Sequence, residues 1–444
     1  MKKIILAIVG SLSLMLFGVS CGTAHPSALS VQVVPEKEYI VPGDQHEVVF
    51  SIDVTGASIA NPQRLPLNLA VVLDRSGSMS GAKIEQARQA ALLLVDQLQS
   101  KDIFSLVVYD NDVKVLVPAQ PVKNKAWIRR QIQSIRHGGS TALYGGVEEG
   151  GHQIREYLDE AKINRVILLS DGKANVGPKS PGDLAHLGHR LQRDGIRVTT
   201  VGLGDDYHED VMVSLAEASA ANYYYVQDVE ALPSIFEEEL GYLQSVIARN
   251  IKIIIQLPDG VTPVEVVGYP DVDFQTNRAE VMLSEYYASQ QRNILVRCRV
   301  PETRKPKIEL AQVNLQFQDE IAGVQRDLES QGFVKTTQDQ KQSDLSINGA
   351  VAKLSSWFRN VQVREEALLL ADQGKAKEAA EVLRAQAAYN RDLPAIAQDE
   401  KLLEDNKRLL SSAEELEREG AFDKRSRKSF QYDNYKQKKQ KVTR

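Results

Sequence analysis

The sequence predicts an α/β fold in which a doubly wound, mostly parallel sheet is inserted in or beside a β-sandwich and is followed by a C-terminal region of helical hairpins. Three observations lead to this prediction. Strands that are apolar throughout alternate with amphipathic helices in the middle of the chain. Strands with period-two alternation lie on both sides of that stretch, and the last third has apolar residues at helical spacing.

The 444-residue chain has the composition of a globular protein of about two to three domains, with 43% hydrophobic and 25% charged residues. Its net charge of -5 argues against a nucleic-acid-binding protein, because binding to phosphates requires clustered positive charge. Two cysteines are too few for a disulfide framework or a cysteine zinc site. Beyond residue 20 no apolar run reaches about 18 residues, so no internal membrane span is expected.

The N-terminus has the pattern of a secretory signal, in which two lysines precede an apolar run over residues 4–19. A small residue and Cys21 follow, and the segment resembles a bacterial lipoprotein signal, in which a peptidase cuts before the cysteine and the thiol is lipidated. The resemblance implies a signal peptide at 1–20 and a lipidated N-terminus and spacer at 21–28. It also implies a membrane-anchored lipoprotein of the bacterial cell envelope, on the periplasmic or extracellular face. An ordinary signal that is cleaved elsewhere is the alternative.

Strands with one buried face flank the middle of the chain. Residues 46–54 alternate between apolar and mostly polar side chains, which is typical of such strands. The same alternation returns at residues 251–257, 279–283, 294–300 and 311–317. We therefore assign residues 29–63 and 246–330 to the two parts of one β-sandwich, since the N-terminal strands are too few to be stable alone. Cys298 lies on the apolar face of its strand and is predicted to be a core residue.

Residues 64–245 are predicted to form the α/β domain. Four strands in this range are largely apolar, which is typical of central parallel strands covered on both faces; they are predicted at residues 67–73, 103–109, 165–169 and 197–203. The helices between and after them are predicted to begin near Ala82, Lys125, Leu143, Gly182, His208 and Leu232. In folds of this class, ligands bind in the loops at the carboxyl ends of the strands, so functional residues are expected there.

The C-terminal part is predicted to be helical over residues 343–420. Residues 366–383 read as two short helices around Gly374, either as one tetratricopeptide-type hairpin or as a helical hairpin packed against the sandwich. A basic tail follows at 421–444, with nine Lys or Arg residues against two Asp residues. This tail is either a solvated segment or a contact for an anionic surface, such as lipid headgroups or the acidic body of the same protein.

Oxygen-bearing side chains gather in three loops at the carboxyl side of the predicted parallel sheet. The first loop has Asp74, Ser76 and Ser78, the second has Thr141, and the third has Asp171. Two carboxylates and three hydroxyls suit a hard divalent ion, Mg2+ or Mn2+ more than Zn2+. Because hydroxyl ligands leave the charge of the ion incompletely neutralised, such an ion would attract one further oxygen, most favourably that of a carboxylate.

The segments LAVVLDRSGSMSG, GGSTALYGG and VILLSDG resemble the von Willebrand factor A domain, whose metal-ion-dependent adhesion site has the pattern D-x-S-x-S, then T, then D. The five residues above match this pattern position by position. The strand-like flanks resemble those of bacterial envelope proteins and of the inter-alpha-trypsin inhibitor heavy chains. The resemblance implies a metal-dependent adhesion or assembly module that is not an enzyme, that binds Mg2+ or Mn2+, and whose protein partner offers an Asp or Glu.

The sequence leaves two other functions open. A metal-assisted hydrolase could use the same carboxylates. However, aspartyl-phosphate enzymes have the pattern D-x-D, and here Arg75 and then Ser76 follow Asp74, so the second Asp is missing. Neither a G-x-S-x-G nor a phosphate-binding P-loop motif occurs. A structural scaffold acting through the C-terminal helices is the second alternative.

If Cys21 carries lipid, Cys21→Ser should move the protein from the membrane fraction to the soluble fraction, because each buried CH2 of an acyl chain contributes about 0.8 kcal/mol of membrane affinity. Fractionation of cells after a high-salt wash measures this. Cys298→Ala leaves the signal intact and is the control, which should stay with the membranes. Retention of the Cys21→Ser protein after the wash would contradict lipidation.

Overall fold

The computed structural model describes residues 26–41, 46–59, 64–269, 272–302, 305–391 and 399–440. The predicted signal peptide and Cys21 lie outside the described residues. Within these ranges, no helix combines the length and the apolar character that crossing a membrane requires.

The strands of the described ranges belong to three sheets. They are β1 (Leu29–Pro35), β2 (Tyr39–Ile40), β3 (His46–Gly56), β4 (Leu67–Asp74), β5 (Ile103–Tyr109), β6 (Val113–Pro121), β7 (Ile163–Ser170), β8 (Arg197–Leu203), β9 (Tyr223–Val226), β10 (Val246–Gln256), β11 (Thr262–Val266), β12 (Arg278–Tyr287), β13 (Gln291–Val300), β14 (Lys307–Asp319) and β15 (Val324–Thr336).

Two of the sheets form the β-sandwich. One has the strand order β1-β3-β13-β11 and the other has the order β12-β10-β14-β15-β2. In the first sheet β3 pairs antiparallel with β13, so strands from before and after the middle of the chain lie side by side. One apolar core, which includes Phe50, Ile253 and Cys298, lies between the two sheets. The α/β domain is therefore inserted into a sandwich that both flanks of the chain build.

The third sheet has the order β6-β5-β4-β7-β8-β9 and is parallel except at the edge strand β6. All residues of β4 and β7 are buried, because helices cover both faces of the sheet. These helices are α1 (Ala82–Gln97), α2 (Lys125–Gln133), α3 (Leu143–Arg155), α4 (Pro181–Arg193), α5 (Glu209–Ala218) and α6 (Leu232–Gln244). The predicted doubly wound, mostly parallel fold is confirmed.

The C-terminal helices pack on the sandwich and on one another. They are α7 (Gln340–Leu345), α8 (Gly349–Asp372), α9 (Ala376–Arg391), α10 (Glu400–Glu419) and α11 (Lys424–Lys439). Val351 and Phe358 of α8 form a small apolar cluster with Val267 and Leu295 of the sandwich. A second cluster joins α8, α9, α10 and α11. The first half of α8 therefore packs against the sandwich, whereas the predicted hairpin at residues 366–383 packs against α10 and α11.

The basic tail contains α11, and its positive charges contact acidic groups of the same chain. Lys428 is buried, its ammonium contacts the carboxylate of Glu209, and it donates to the carbonyl of Tyr207 at 2.9 Å. The backbone N–H of Tyr223 in edge strand β9 donates to the hydroxyl of Tyr435 at 3.0 Å. The anionic surface that the described part of the tail contacts is thus that of its own protein, and these residues are not a solvated segment.

Two predicted boundaries differ from the structure. Strand β15 continues to Thr336, beyond the predicted end of the sandwich at residue 330, because only Gly332 and Val334 of this strand are buried and its alternation is weak. The helical region begins with α7 at Gln340, before the predicted residue 343.

A buried ion network joins the α/β domain to the sandwich. Arg165 of β7 is fully buried and donates to Glu285 of β12 at 2.6 Å, and Arg197 of β8 donates to the same carboxylate at 3.1 Å. Burial raises the pKa of Glu285, but the charges of the two arginines outweigh this effect and hold the pKa below its ordinary value. The carboxylate is therefore ionised and paired at the junction of the two domains.

Arg165→Met should lower the free energy of unfolding by about 3–5 kcal/mol, because it leaves the buried carboxylate of Glu285 with less compensating charge. Urea unfolding measures this loss. Arg190→Met is the matched control: Arg190 pairs with Glu148 at 2.7 Å on the surface, and the loss there should be at most about 1 kcal/mol. Equal losses for the two variants would contradict the proposed role of the network.

Candidate metal centre

Two buried carboxylates lie next to each other at the carboxyl ends of neighbouring strands. In the parallel pair β4 and β7, Leu73 is opposite Leu169. Asp74 ends β4, and Asp171 directly follows Ser170 at the end of β7. Both carboxylates have 0% exposure. The sheet register therefore brings together two residues that are far apart in the sequence.

The predicted hydroxyl residues surround these carboxylates. The Ser76 N–H donates to Asp74 Oδ1 at 2.8 Å, and the Ser78 hydroxyl donates to Asp171 Oδ1 at 2.7 Å. The Ser76 and Ser78 hydroxyl oxygens are 3.1 Å apart. Ser76 precedes the short 3-10 helix Gly77–Met79, which turns Ser78 towards Asp171, and Ser78 is exposed to solvent. Thr141 is buried in the loop before α3. The site thus has a buried floor and an open side.

Gly172 shows that the three hydroxyls converge on one space. A Cβ atom on Gly172 would lie 3.4 Å from the Ser78 hydroxyl oxygen, 3.4 Å from that of Thr141 and 3.9 Å from that of Ser76. This space is next to the two carboxylates, because Gly172 follows Asp171 and the Ser78 hydroxyl donates to Asp171. Hydroxyl and carboxylate oxygens are the ligands that a hard divalent cation such as Mg2+ prefers. The five residues therefore fit the metal that the sequence predicts.

Burial is the main cause that raises the pKa of Asp74 to about 6. The hydrogen bonds from Ser76 and Ser170 lower this pKa, and the charge of Asp171 raises it. The Ser170 hydroxyl donates to Asp74 Oδ2 at 2.8 Å, so both oxygens of Asp74 accept a hydrogen bond. Burial and the neighbouring carboxylate of Asp171 disfavour the ionised form of Asp74. A cation bound nearby would favour that ionised form.

Three residues that support the site were not predicted from the sequence. Ser170 holds Asp74, as described above. The side-chain oxygen of Asn175 accepts from the backbone N–H of Thr141 at 2.8 Å, and the backbone N–H of Asn175 donates to the Thr141 carbonyl at 3.2 Å. Lys83, in the first turn of α1, contacts Asp171 Oδ2 with its ammonium. Ser170 could have been noticed as the polar residue that ends an apolar strand, whereas no sequence signal marks Asn175 or Lys83.

Comparison with known families agrees with this geometry. A family model for the von Willebrand factor type A domain matches residues 68–238. The chain contains a von Willebrand factor type A domain. The family prediction made from the three segments is therefore confirmed, and the matched range lies within the α/β domain.

Relatives of the A domain occur in bacteria and in animals. An uncharacterized protein of Synechocystis sp., sll0103, is 27% identical over 339 residues, which are 73% of this chain and 80% of that protein. Human inter-alpha-trypsin inhibitor heavy chain H3 is 28% identical over 195 residues, which are 40% of this chain but 22% of that protein. The second similarity thus concerns only a small part of the human protein.

A solved structure supports the fold beyond the A domain. The structure described as von Willebrand factor type A from Catenulispora acidiphila superposes with a TM-score of 0.65 at 18% identity, and the match covers 82% of this chain and 88% of that chain. At this identity the likeness concerns the fold alone. Because the coverage extends well outside the A domain, the arrangement of domain and flanking elements is shared.

In chelator, Asp74→Asn should raise the free energy of unfolding at pH 7.5 by about 1–3 kcal/mol, since each unit of pKa shift corresponds to about 1.4 kcal/mol. The pKa of Asp74 is about 6 in the folded state, which is higher than in the unfolded chain. As the pH rises, Asp74 therefore ionises first in the unfolded chain. Above pH 6 the ionised Asp74 destabilises the folded state. The gain should disappear below about pH 4, where both states are protonated. Urea unfolding at several pH values measures this.

The exposed Asp96, which pairs with Arg129 on the surface, provides the control. Asp96→Asn should give no gain in stability at any of these pH values. A gain for Asp74→Asn that is the same at pH 4 and pH 7.5 would contradict the assignment of a raised pKa to Asp74.

Proposed function

We propose that this protein is a metal-dependent protein-binding module, in which Asp74, Ser76, Ser78, Thr141 and Asp171 hold Mg2+ or Mn2+ and a carboxylate of a partner protein completes the site. The observation that carries the proposal is the convergence of three hydroxyl oxygens on one space beside two buried carboxylates. Von Willebrand A domains are mostly interaction modules without enzymatic activity, and the proposal follows that pattern.

Each ligand residue has a distinct part in this proposal. The two carboxylates balance the charge of a divalent ion, and the hydroxyls contribute oxygen without charge. Ser170 and the backbone N–H of Ser76 hold Asp74 in place from both sides, so its orientation is fixed before a metal arrives. When bound, the metal supplies a positive charge that attracts an oxygen ligand from outside. The open side at Ser78 is where a partner would approach.

Attachment to a membrane through lipid on Cys21 belongs to the same proposal. It would place the binding module on the periplasmic or extracellular face of a bacterial membrane. The fractionation experiment on Cys21→Ser tests this part independently of the metal site.

Isothermal titration calorimetry with Mg2+ and Mn2+ tests the metal site. Asp74→Ala should abolish binding of both ions because it removes a charged ligand. Thr141→Ala should weaken binding by about tenfold or more and leave the fold intact, because it removes one neutral ligand from a loop. Ser80→Ala is the matched control: Ser80 is an exposed serine beside the motif, and its loss should leave metal affinity unchanged. Metal affinity that is the same in all four proteins would contradict the proposed ligands.

Affinity capture from native membranes tests the partner. The tagged full-length protein is expected to retain a partner in Mg2+ or Mn2+ and to lose it in chelator, because without metal the partner carboxylate would meet two other carboxylates. Asp74→Ala should give the same loss in metal, while Ser80→Ala should not. Capture that survives both chelator and Asp74→Ala would place recognition elsewhere on the molecule.

A further inference from the structure

Lys83 is a cation placed directly on a candidate metal ligand. Its ammonium contacts Asp171 Oδ2, while Asp171 Oδ1 accepts the hydrogen bond from Ser78. The Lys83 side chain is 28% exposed, whereas that of Asp171 is 0% exposed. The lysine therefore reaches from the surface to a fully buried carboxylate.

The position of Lys83 in its helix does not explain this contact. Lys83 is the second residue of α1, in the first turn, where Glu85 is the acidic residue. A positive charge near a helix N-terminus is disfavoured by the unpaired N–H groups and the helix dipole. A lysine at this position must therefore gain its stabilisation from outside the helix, and Asp171 is the partner that supplies it.

The charges at the site disfavour simultaneous contact of a divalent ion and the Lys83 ammonium with Asp171. Asp74 and Asp171 contribute two negative charges, and Lys83 balances one of them. A divalent ion balances both carboxylates alone, so the ion and a Lys83 ammonium in contact with Asp171 together would leave an excess of positive charge in a buried site. The nearby Arg75 is already paired with Asp110 at 2.8 Å.

A second carboxylate is within electrostatic reach of Lys83. A Cβ atom on Gly204 would lie 3.9 Å from Lys83 Nζ, which places the ammonium beside the loop that follows β8. Asp206 of this loop pairs with Lys424 of α11 at 3.0 Å and is exposed. Its pKa is lowered first by Lys424 and also by the charge of Lys83. A lysine that leaves Asp171 therefore has a nearby acidic loop and solvent to move to.

We propose that Lys83 is the counter-ion of the metal-free site, that it competes with the divalent ion for Asp171, and that it thereby sets the metal affinity of the A domain. The inference rests on the proposed function, because it requires that a metal binds at Asp74 and Asp171. It differs from a purely structural ion pair, which would stabilise the metal-free and the metal-loaded protein alike.

Calorimetry with Mg2+ and Mn2+ on the full-length Lys83→Met protein tests the proposal. Both ions should bind about tenfold tighter or more than they bind to the parent, which corresponds to about 1.4 kcal/mol. In chelator, the melting temperature of Lys83→Met should be lower than that of the parent, and the rise on metal addition should be larger. Lys83→Arg keeps the positive charge and should show an affinity near that of the parent.

Arg64→Met is the matched control. Arg64 is a partly exposed cation on the fully buried Asp102, at 2.8 Å, and Asp102 lies at the opposite end of the sheet, where it accepts from the N–H of Leu67. Loss of this pair should lower the melting temperature equally with and without metal and leave metal affinity unchanged.

Metal binding to Lys83→Met that is equal to or weaker than binding to the parent would overturn the proposal while leaving the metal site itself in place. An equal fall in melting temperature with and without metal would overturn it as well, because it would make Lys83 a structural partner. Absence of metal binding in the parent and in every variant would instead contradict the proposed function, and the inference would fall with it.

Discussion

Two fully buried carboxylates at the ends of adjacent parallel strands determine what the candidate metal site can bind. Asp74 and Asp171 have this position because β4 and β7 are central strands with every residue buried, so the side chains that follow them are still enclosed by the helix layers. Hydroxyls and backbone N–H groups satisfy their oxygens but do not neutralise two charges. A cation is therefore needed to balance these charges. The pKa of Asp74 is raised mainly by burial, so its ionised form is disfavoured without such a cation.

The sandwich contacts the opposite end of the α/β domain and leaves the candidate metal site accessible. Arg165, near the start of β7, pairs with Glu285 of the sandwich, whereas Asp171 follows the end of the same strand. The sandwich is thus attached at the far end of the sheet. Helix α11 joins the two ends, because Lys424 pairs with Asp206 in a loop at the carboxyl side and Gln440, just after the helix, accepts from the N–H of Asn293 in the sandwich at 2.6 Å. A partner would therefore approach from the side opposite the sandwich.

The sequence was informative where the chemistry lies at strand ends and uninformative where it depends on packing. Asp74 and Asp171 could be placed because each follows an apolar strand, and parallel strands bring such ends together. Lys83 could not be found, because a lysine on an amphipathic helix usually faces solvent and only the three-dimensional structure shows Asp171 beside it. Strand β15 was not predicted, because most of its residues are polar or partly exposed. The composition of the basic tail fits both a solvated segment and a contact with the acidic body of the same protein, and only the structure shows the buried contacts of Lys428.

Crystals of the full-length protein grown with Mn2+, with diffraction data collected near the manganese absorption edge, test whether the five residues hold a divalent ion. We expect an anomalous peak bounded by Asp74, Ser76, Ser78, Thr141 and Asp171, in contact with the serine hydroxyl oxygens and with an external oxygen on its open side. Manganese bound elsewhere on the molecule while this site contains none would contradict this expectation.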